Sequence, residues 1–164
     1  MNTDRHGLDG PDTRASSVRL LSAMARSASG DAVEGISWIG DGIDDWRATG
    51  AMVGVPYYLA LKAEALYLAL RTSEALEAIS EAEALAERFE ERWWCAELHR
   101  LRGVFLAAID ADENQIEASF CEAIRIAKEQ KSFSLEKRAE ATYAEYRRQK
   151  ASALGGRGFR LPLC

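Results

Sequence analysis

The chain repeats itself about every 40 residues. A fixed period in this range is the signature of stacked helical hairpins, because one hairpin cannot bury its apolar face alone and a neighbour must cover it. Gly35, Ile39 and Gly42 align with Ala75, Ile79 and Ala82, and then with Ile116, Phe120 and Ala123. Within each set the spacing is four and then three; between sets the step is 40 and then 41. A second series runs through Ala23, Ala63, Gly103 and Ala144. Short side chains at such positions let two helices approach to about 8–10 Å, which two bulky residues at the crossing would prevent.

Composition agrees with an all-α array. Prolines occur only at Pro11, Pro56 and Pro162, and long runs rich in Ala, Leu, Glu and Arg hold no helix breaker. At 164 residues with 48% hydrophobic content, one domain with a sizeable core is expected. No run of 18 apolar residues predicts a membrane span, and Met1 to Gly10 lacks the apolar stretch of a secretory signal. Cys95, Cys121 and Cys164 have no CxxC spacing, and the first two fall on apolar helical faces, where a thiol serves as a small core filler. With only His6 and His99 besides, no metal site and no cofactor is expected, and the compartment expected is the reducing cytoplasm.

Periodicity places seven helices. Residues 1–14 read as a disordered lead-in, 15–150 as the repeat domain, and 151–164 as an irregular tail. The first helix is expected over Ala15–Ala28 and the second over Ala32–Ala48, stopped by Thr49-Gly50-Ala51. Pro56 suits the first turn of the next, which runs to Leu70. Helices then follow over Glu74–Glu90, Arg92–Ala108, Ile116–Glu129 and Leu135–Lys150, with Asp110 to Asn114 as a polar turn and Ser134 as a cap. That makes three hairpins and an unpaired last helix.

The small-residue pattern resembles the tetratricopeptide repeat family. The resemblance implies a right-handed stack of antiparallel hairpins, with Ala23, Ala63, Gly103 and Ala144 on the A helices and the Gly35, Ala75 and Ile116 sets on the B helices. The period exceeds that family's, Ile116 breaks its small-residue rule, and Leu66 and Leu106 stand where its tyrosine would be. A narrower likeness lies in the string from Glu91 to Gly103, with Trp46–Gly50 and Pro56–Ala60. It resembles the C-terminal repeats of large bacterial signalling proteins that carry a class III adenylate cyclase or a DNA-binding domain, followed by an ATPase module. The chain has no room for those domains and no GxxxxGK[ST] phosphate loop. After Lys150 the family's next acidic B helix is replaced by a Gly- and Arg-containing stretch, which suggests a truncated or frameshifted end.

Charge is uneven along the chain. Seven glutamates between Glu74 and Glu91 face Arg88 alone, whereas Lys128, Lys131, Lys137, Arg138, Arg147, Arg148, Lys150, Arg157 and Arg160 follow Arg125. Two solvated helix faces account for this, as does a bipolar surface that orients a partner. The net charge of −5 argues against nucleic acid.

Trp93 and Trp94 open a predicted helix and cannot share a face, so Trp94 is expected in the core and Trp93 at the surface, where tryptophan anchors interfaces. His99 has no Ser or Cys nucleophile nearby in this reading, and Glu64, Glu97 and Glu145 fall one per hairpin without converging. By resemblance, a concave groove is lined by Tyr57, Ala60, Glu64 and Tyr67, then by Glu97, Arg100 and Val104, then by Arg138, Ala141, Glu145 and Arg148, with Trp93 beside it. Such a surface suits a peptide or helix of a partner protein, although an ordinary solvated helix face has the same composition.

The expected function is therefore a non-catalytic protein–protein interaction module, docking a protein partner or a neighbouring domain and linked by resemblance to adenylate cyclase or transcription-factor regulation. The alternative is a vestigial fragment that associates with itself through exposed terminal repeats.

Overall fold

The structure, a computed structural model, describes residues 32–153. All regular secondary structure among these residues is α-helical, in six helices: α1 (Ala32–Ala48), α2 (Val55–Leu68), α3 (Thr72–Arg88), α4 (Cys95–Ala108), α5 (Glu113–Glu129) and α6 (Phe133–Ala153). The expected helix at 15–28, the lead-in 1–14 and residues 154–164 of the tail lie outside the described residues. The chain forms two compact units, Met1–Met52 and Val53–Cys164.

In the first unit, α1 buries Ile36, Ile39 and Ile43, one stripe at three and four, together with Gly35 and Gly42. Its end is the expected one. Gly50 takes φ +80°, its N–H donates to Arg47 O at 2.9 Å, and the Thr49 hydroxyl donates to Trp46 O at 2.7 Å.

In the second unit, α2 packs on α3 and α4 packs on α5, each pair joined by a connection of a few residues that turns the chain back. Helix α4 also touches α2, α3 and α6. Helices α3 and α5 make no close backbone approach to each other, whereas α4 adjoins both α2 and α6. The odd-numbered partners are therefore splayed and the even-numbered ones close together.

Helix termination beats at half the repeat. Leu70, Glu90, Asp110 and Lys131 all take the left-handed conformation, with φ between 54° and 63°. At each, the next N–H reaches back to the last turn: Arg71 to Leu66 O, Glu91 to Ala86 O, Ala111 to Leu106 O and Ser132 to Ala127 O, at 2.9–3.0 Å. These are Schellman closures, which satisfy carbonyls the helix leaves open. None of the four residues is glycine, so each carries a steric cost of roughly 1 kcal/mol that the hydrogen bonds offset.

Most predicted boundaries shift by a few residues: the helix expected to reach Leu70 ends at Leu68, the one expected over Glu74–Glu90 spans Thr72–Arg88, and the last runs on to Ala153. Three starts have a local reason. Helix α4 begins at Cys95, not Arg92, because Trp93 and Trp94 belong to the approach and Trp94 takes the N-cap position. Helix α5 begins at Glu113, since the Asp112 side chain accepts from Asn114 N–H at 3.0 Å and Gln115 N–H at 3.3 Å and so caps it. Helix α6 begins at Phe133, which puts Ser134 inside the helix; the carbonyl of Ser132 accepts the first helical bond, from Glu136 N–H.

The small-residue series holds at two of the described positions and fails at the third. Ala63, Ala75, Ile79 and Ala82 are fully buried. At Gly103 the Phe120 ring lies so close that a Cβ would stand 2.9 Å from its Cε1. Ala144, in contrast, is exposed; α6 buries Ala139, Thr142 and Tyr146 instead. Its small-residue face has no described helix against it. Cys121 is also exposed and fills no core.

Candidate functional site

Because α2, α4 and α6 adjoin, side chains from all three meet on one side of the second unit. At the centre is Arg100, with 0% exposure. Its guanidinium donates twice to Glu97, Nε to Oε2 at 2.9 Å and Nη2 to Oε1 at 2.7 Å, and once to Thr142 Oγ1 at 3.4 Å. Arg138 Nη1 donates to the same Glu97 Oε1 at 2.9 Å, and Glu64 Oε1 stands 3.8 Å from Arg100 Nη2. Two carboxylates thus balance two guanidiniums, the condition under which a buried charge is tolerated. Burial pushes the Glu64 carboxyl above the usual range, against the opposing pull of Arg100.

The expectation that the glutamates do not converge is overturned for Glu64 and Glu97, which meet at Arg100. It holds for Glu145, which pairs with Arg148 and Gln149 on its own helix. The groove reading also needs correction at Glu97, Arg100 and Val104. All three are buried, Glu97 beneath Arg138, which donates to it, and Arg100 against Glu97 and Thr142. What remains open is a depression of about 200 Å3, lined by Tyr57, Glu64, Trp94, Glu97, Leu101 and Arg138 among others. Tyr67 is half-buried with its ring tilted against Phe105, centroids 5.0 Å apart, and Tyr67, Glu145 and Arg148 do not line the depression.

An aromatic cluster rises beside the depression. The Tyr57 ring meets Trp94 edge-on at 5.1 Å and Trp93 at 5.7 Å, and the two indoles are 5.3 Å apart. Trp93 is 51% exposed. It is held by Glu91, whose Oε1 accepts the indole N–H at 2.9 Å. Both Glu91 oxygens also accept the N–H of Gly54, at 2.9 and 3.0 Å. Gly54 has φ +86°, a conformation glycine adopts without strain. One carboxylate therefore ties the approach to α2 to the approach to α4. The Trp94 indole N–H is buried without a hydrogen-bond partner among the described residues. Within the second unit, Val53, Trp93 and Phe133, at steps of 40 in the sequence, are all exposed.

The opposite side carries a larger feature that the sequence reading missed. Between the splayed α3 and α5 runs a groove of about 690 Å3, with Cys95, Leu98 and His99 of α4 in its floor and Ala84, Ala86 and Ile126 in its walls. A second depression of about 590 Å3 shares Glu83, His99 and Glu122 with it and continues to Leu106. His99 Nδ1 lies 3.5 Å from Glu83 Oε1, and Arg102 pairs with Glu83 at 2.6 Å. Cys95 and His99 are one helical turn apart in this groove, so a thiol does stand near the histidine. Burial pushes the Cys95 thiol up, and Arg92 pulls it down by less. A 4-residue spacing within α4 was the available signal for this pairing, and the predicted helix contained it. No cluster of three or more metal-ligating side chains occurs among the described residues, and none of the described helices is long and apolar enough to cross a membrane.

No protein-family profile matches the chain, and no solved structure gives a significant match. The chain is similar to an uncharacterized protein of Rhizobium meliloti (strain 1021), 29% identical over 126 residues, or 77% of this chain. The chain spans 12% of the length of that relative.

Proposed function

We propose that the chain is a non-catalytic, cytoplasmic helical-repeat module of tetratricopeptide type, which docks a protein partner or a neighbouring domain of a signalling system. The adenylate cyclase or transcription-factor link rests on the sequence resemblance alone. The observation that carries the docking reading is the half-exposed Trp93, fixed in place by Glu91 and Tyr57 at the lip of the inner depression. A rigid, exposed indole in a row with Val53 and Phe133 has the character of an interface anchor. Similarity to a small part of a much longer protein is in keeping with a module that serves a larger assembly.

The test is comparative capture. Wild type and Trp93→Ala are immobilised side by side in extract of the source organism, and any retained protein is then purified and titrated against both. A hot-spot anchor loses about 2 kcal/mol on truncation, roughly 30-fold in affinity. Equal affinity for both, or no retained protein, defeats the reading.

A second reading, self-association, is favoured by a different observation. The exposed Ala144 face of α6 is a packing surface with nothing described against it. A face of small residues is one on which another helix can pack closely.

A further inference from the structure

Among the described residues, the second unit carries an open groove and a helix face with no other helix against it, and their charges are opposite. The groove between α3 and α5 has an apolar floor and wall at Leu98, Ala84 and Ile126. Its lining holds four carboxylates, Glu83, Glu87, Glu122 and Glu129, against the guanidiniums of Arg92 and Arg125. Arg125 pairs with Glu122 and Glu129 in exposed contacts within one helix, which are weak enough to exchange, Arg102 pairs with Glu83, and Glu87 has no ion-pair partner among the described residues. Exposed Glu77 and Glu81 extend the negative field along α3.

The helix is α6. Lys137, Ala141, Ala144, Arg148 and Ala151 are all exposed and recur at four and three, so they form one face. Arg147, also exposed, flanks it over the Tyr143 ring. The Arg148–Glu145 pair is a surface contact within one helix turn, which is weak enough to exchange. Alanines let such a helix sit deep between two others, and its cations would then meet the acidic walls.

We infer that α6 of one copy seats its Ala141–Ala144 face in the α3–α5 groove of a second copy, with Arg147 and Arg148 against Glu87 and Glu129. This rests on the self-association reading above and names its two surfaces. The contact is heterologous, since it joins different patches on the two copies.

Sedimentation velocity from low to several hundred micromolar tests it, with two charge-reversed proteins: Glu87→Lys with Glu129→Lys in the groove, and Arg147→Glu with Arg148→Glu on the helix. All four sites are exposed, and helicity by circular dichroism checks that both proteins fold. The wild type is expected to associate at low salt, about tenfold more weakly at high salt, and each variant to stay monomeric. Mixing the two variants should restore a dimer, because the intact helix of one meets the intact groove of the other. Alkylation of Cys95, in the groove floor, should slow as the wild type associates. A wild type that is monomeric throughout, or that binds only another protein's basic helix, overturns this inference and the self-association reading together. Oligomers that persist in both variants, an unrestored mixture, or an unchanged Cys95 rate overturn the inference and leave self-association by another surface.

Discussion

Gly103→Ala tests the packing on which the second unit depends. In an isolated helix the change would stabilise by about 1 kcal/mol, because alanine surpasses glycine in helix propensity by that amount. Here the new Cβ would stand 2.9 Å from Phe120 Cε1 and 3.0 Å from both Cδ1 and Cζ. Carbon atoms rest at about 3.5–4.0 Å, so three ring atoms would be compressed at once. The ring cannot simply swing away. It is 0% exposed and lies against Tyr143 at 5.4 Å and Tyr146 at 5.7 Å. Overpacking of this kind costs about 1–3 kcal/mol, so the net effect is a loss of up to about 2 kcal/mol despite the better helix former. Urea unfolding monitored by helicity measures it. The decisive comparison is a double-mutant cycle with Phe120→Leu, a core truncation that itself costs about 1–2 kcal/mol. With the ring gone, Gly103→Ala should recover its stabilising sign, giving a coupling of about 1–3 kcal/mol. A Gly103→Ala protein stabilised by the full propensity gain in both backgrounds would refute the close crossing of α4 and α5.

Three further outcomes are expected. Leu70→Gly should stabilise the fold by about 0.5–1 kcal/mol in the same assay, because φ of 63° is strained for leucine and its side chain, 78% exposed, packs on little. Glu97→Ala should destabilise by about 3–5 kcal/mol, since it strands a fully buried guanidinium, whereas Glu97→Leu with Arg100→Met should be nearly neutral by thermal melting. Glu64 takes up its proton more readily folded than unfolded, so its contribution to stability is full below the ordinary carboxylate range and is lost as pH rises through the raised folded value. Glu64→Gln should therefore unfold at higher urea than wild type at neutral pH, with the advantage vanishing in acid; an advantage that grows in acid would contradict the sign.

What could be read in advance follows from what periodicity encodes. Helices at 32–48 and the buried stripe of Ile36, Ile39 and Ile43 follow from local spacing, as do the buried Ala63, Ala75 and Ala82. The start of α4 does not, because Arg92-Trp93-Trp94 continues a helical pattern in sequence while Glu91 binds Gly54, 37 residues away. The four terminators were hidden for a related reason: Leu, Glu, Asp and Lys carry no mark of positive φ, and backbone hydrogen bonds impose it. The family resemblance places Arg100 in the groove, and nothing local contradicts it, because a charged side chain on a mixed helix normally meets water. Its burial depends on Glu97 and on Thr142, 42 residues later. Ala144 was misplaced for the converse reason, since a small residue specifies a crossing only when a second helix is there to cross.

The ionic hub has a consequence for how the unit comes apart. A ladder of hairpins held only by contacts between successive rungs would fray from its ends, one rung at a time. Glu64, Arg100 and Arg138, with Glu97, instead join three helices, α2, α4 and α6, at one point. Loosening α6 would strip Glu97 of Arg138 and so disturb Arg100 and, through it, α2. Melting should then run as a block, with slow amide exchange shared across α2, α4 and α6 instead of declining toward the last helix.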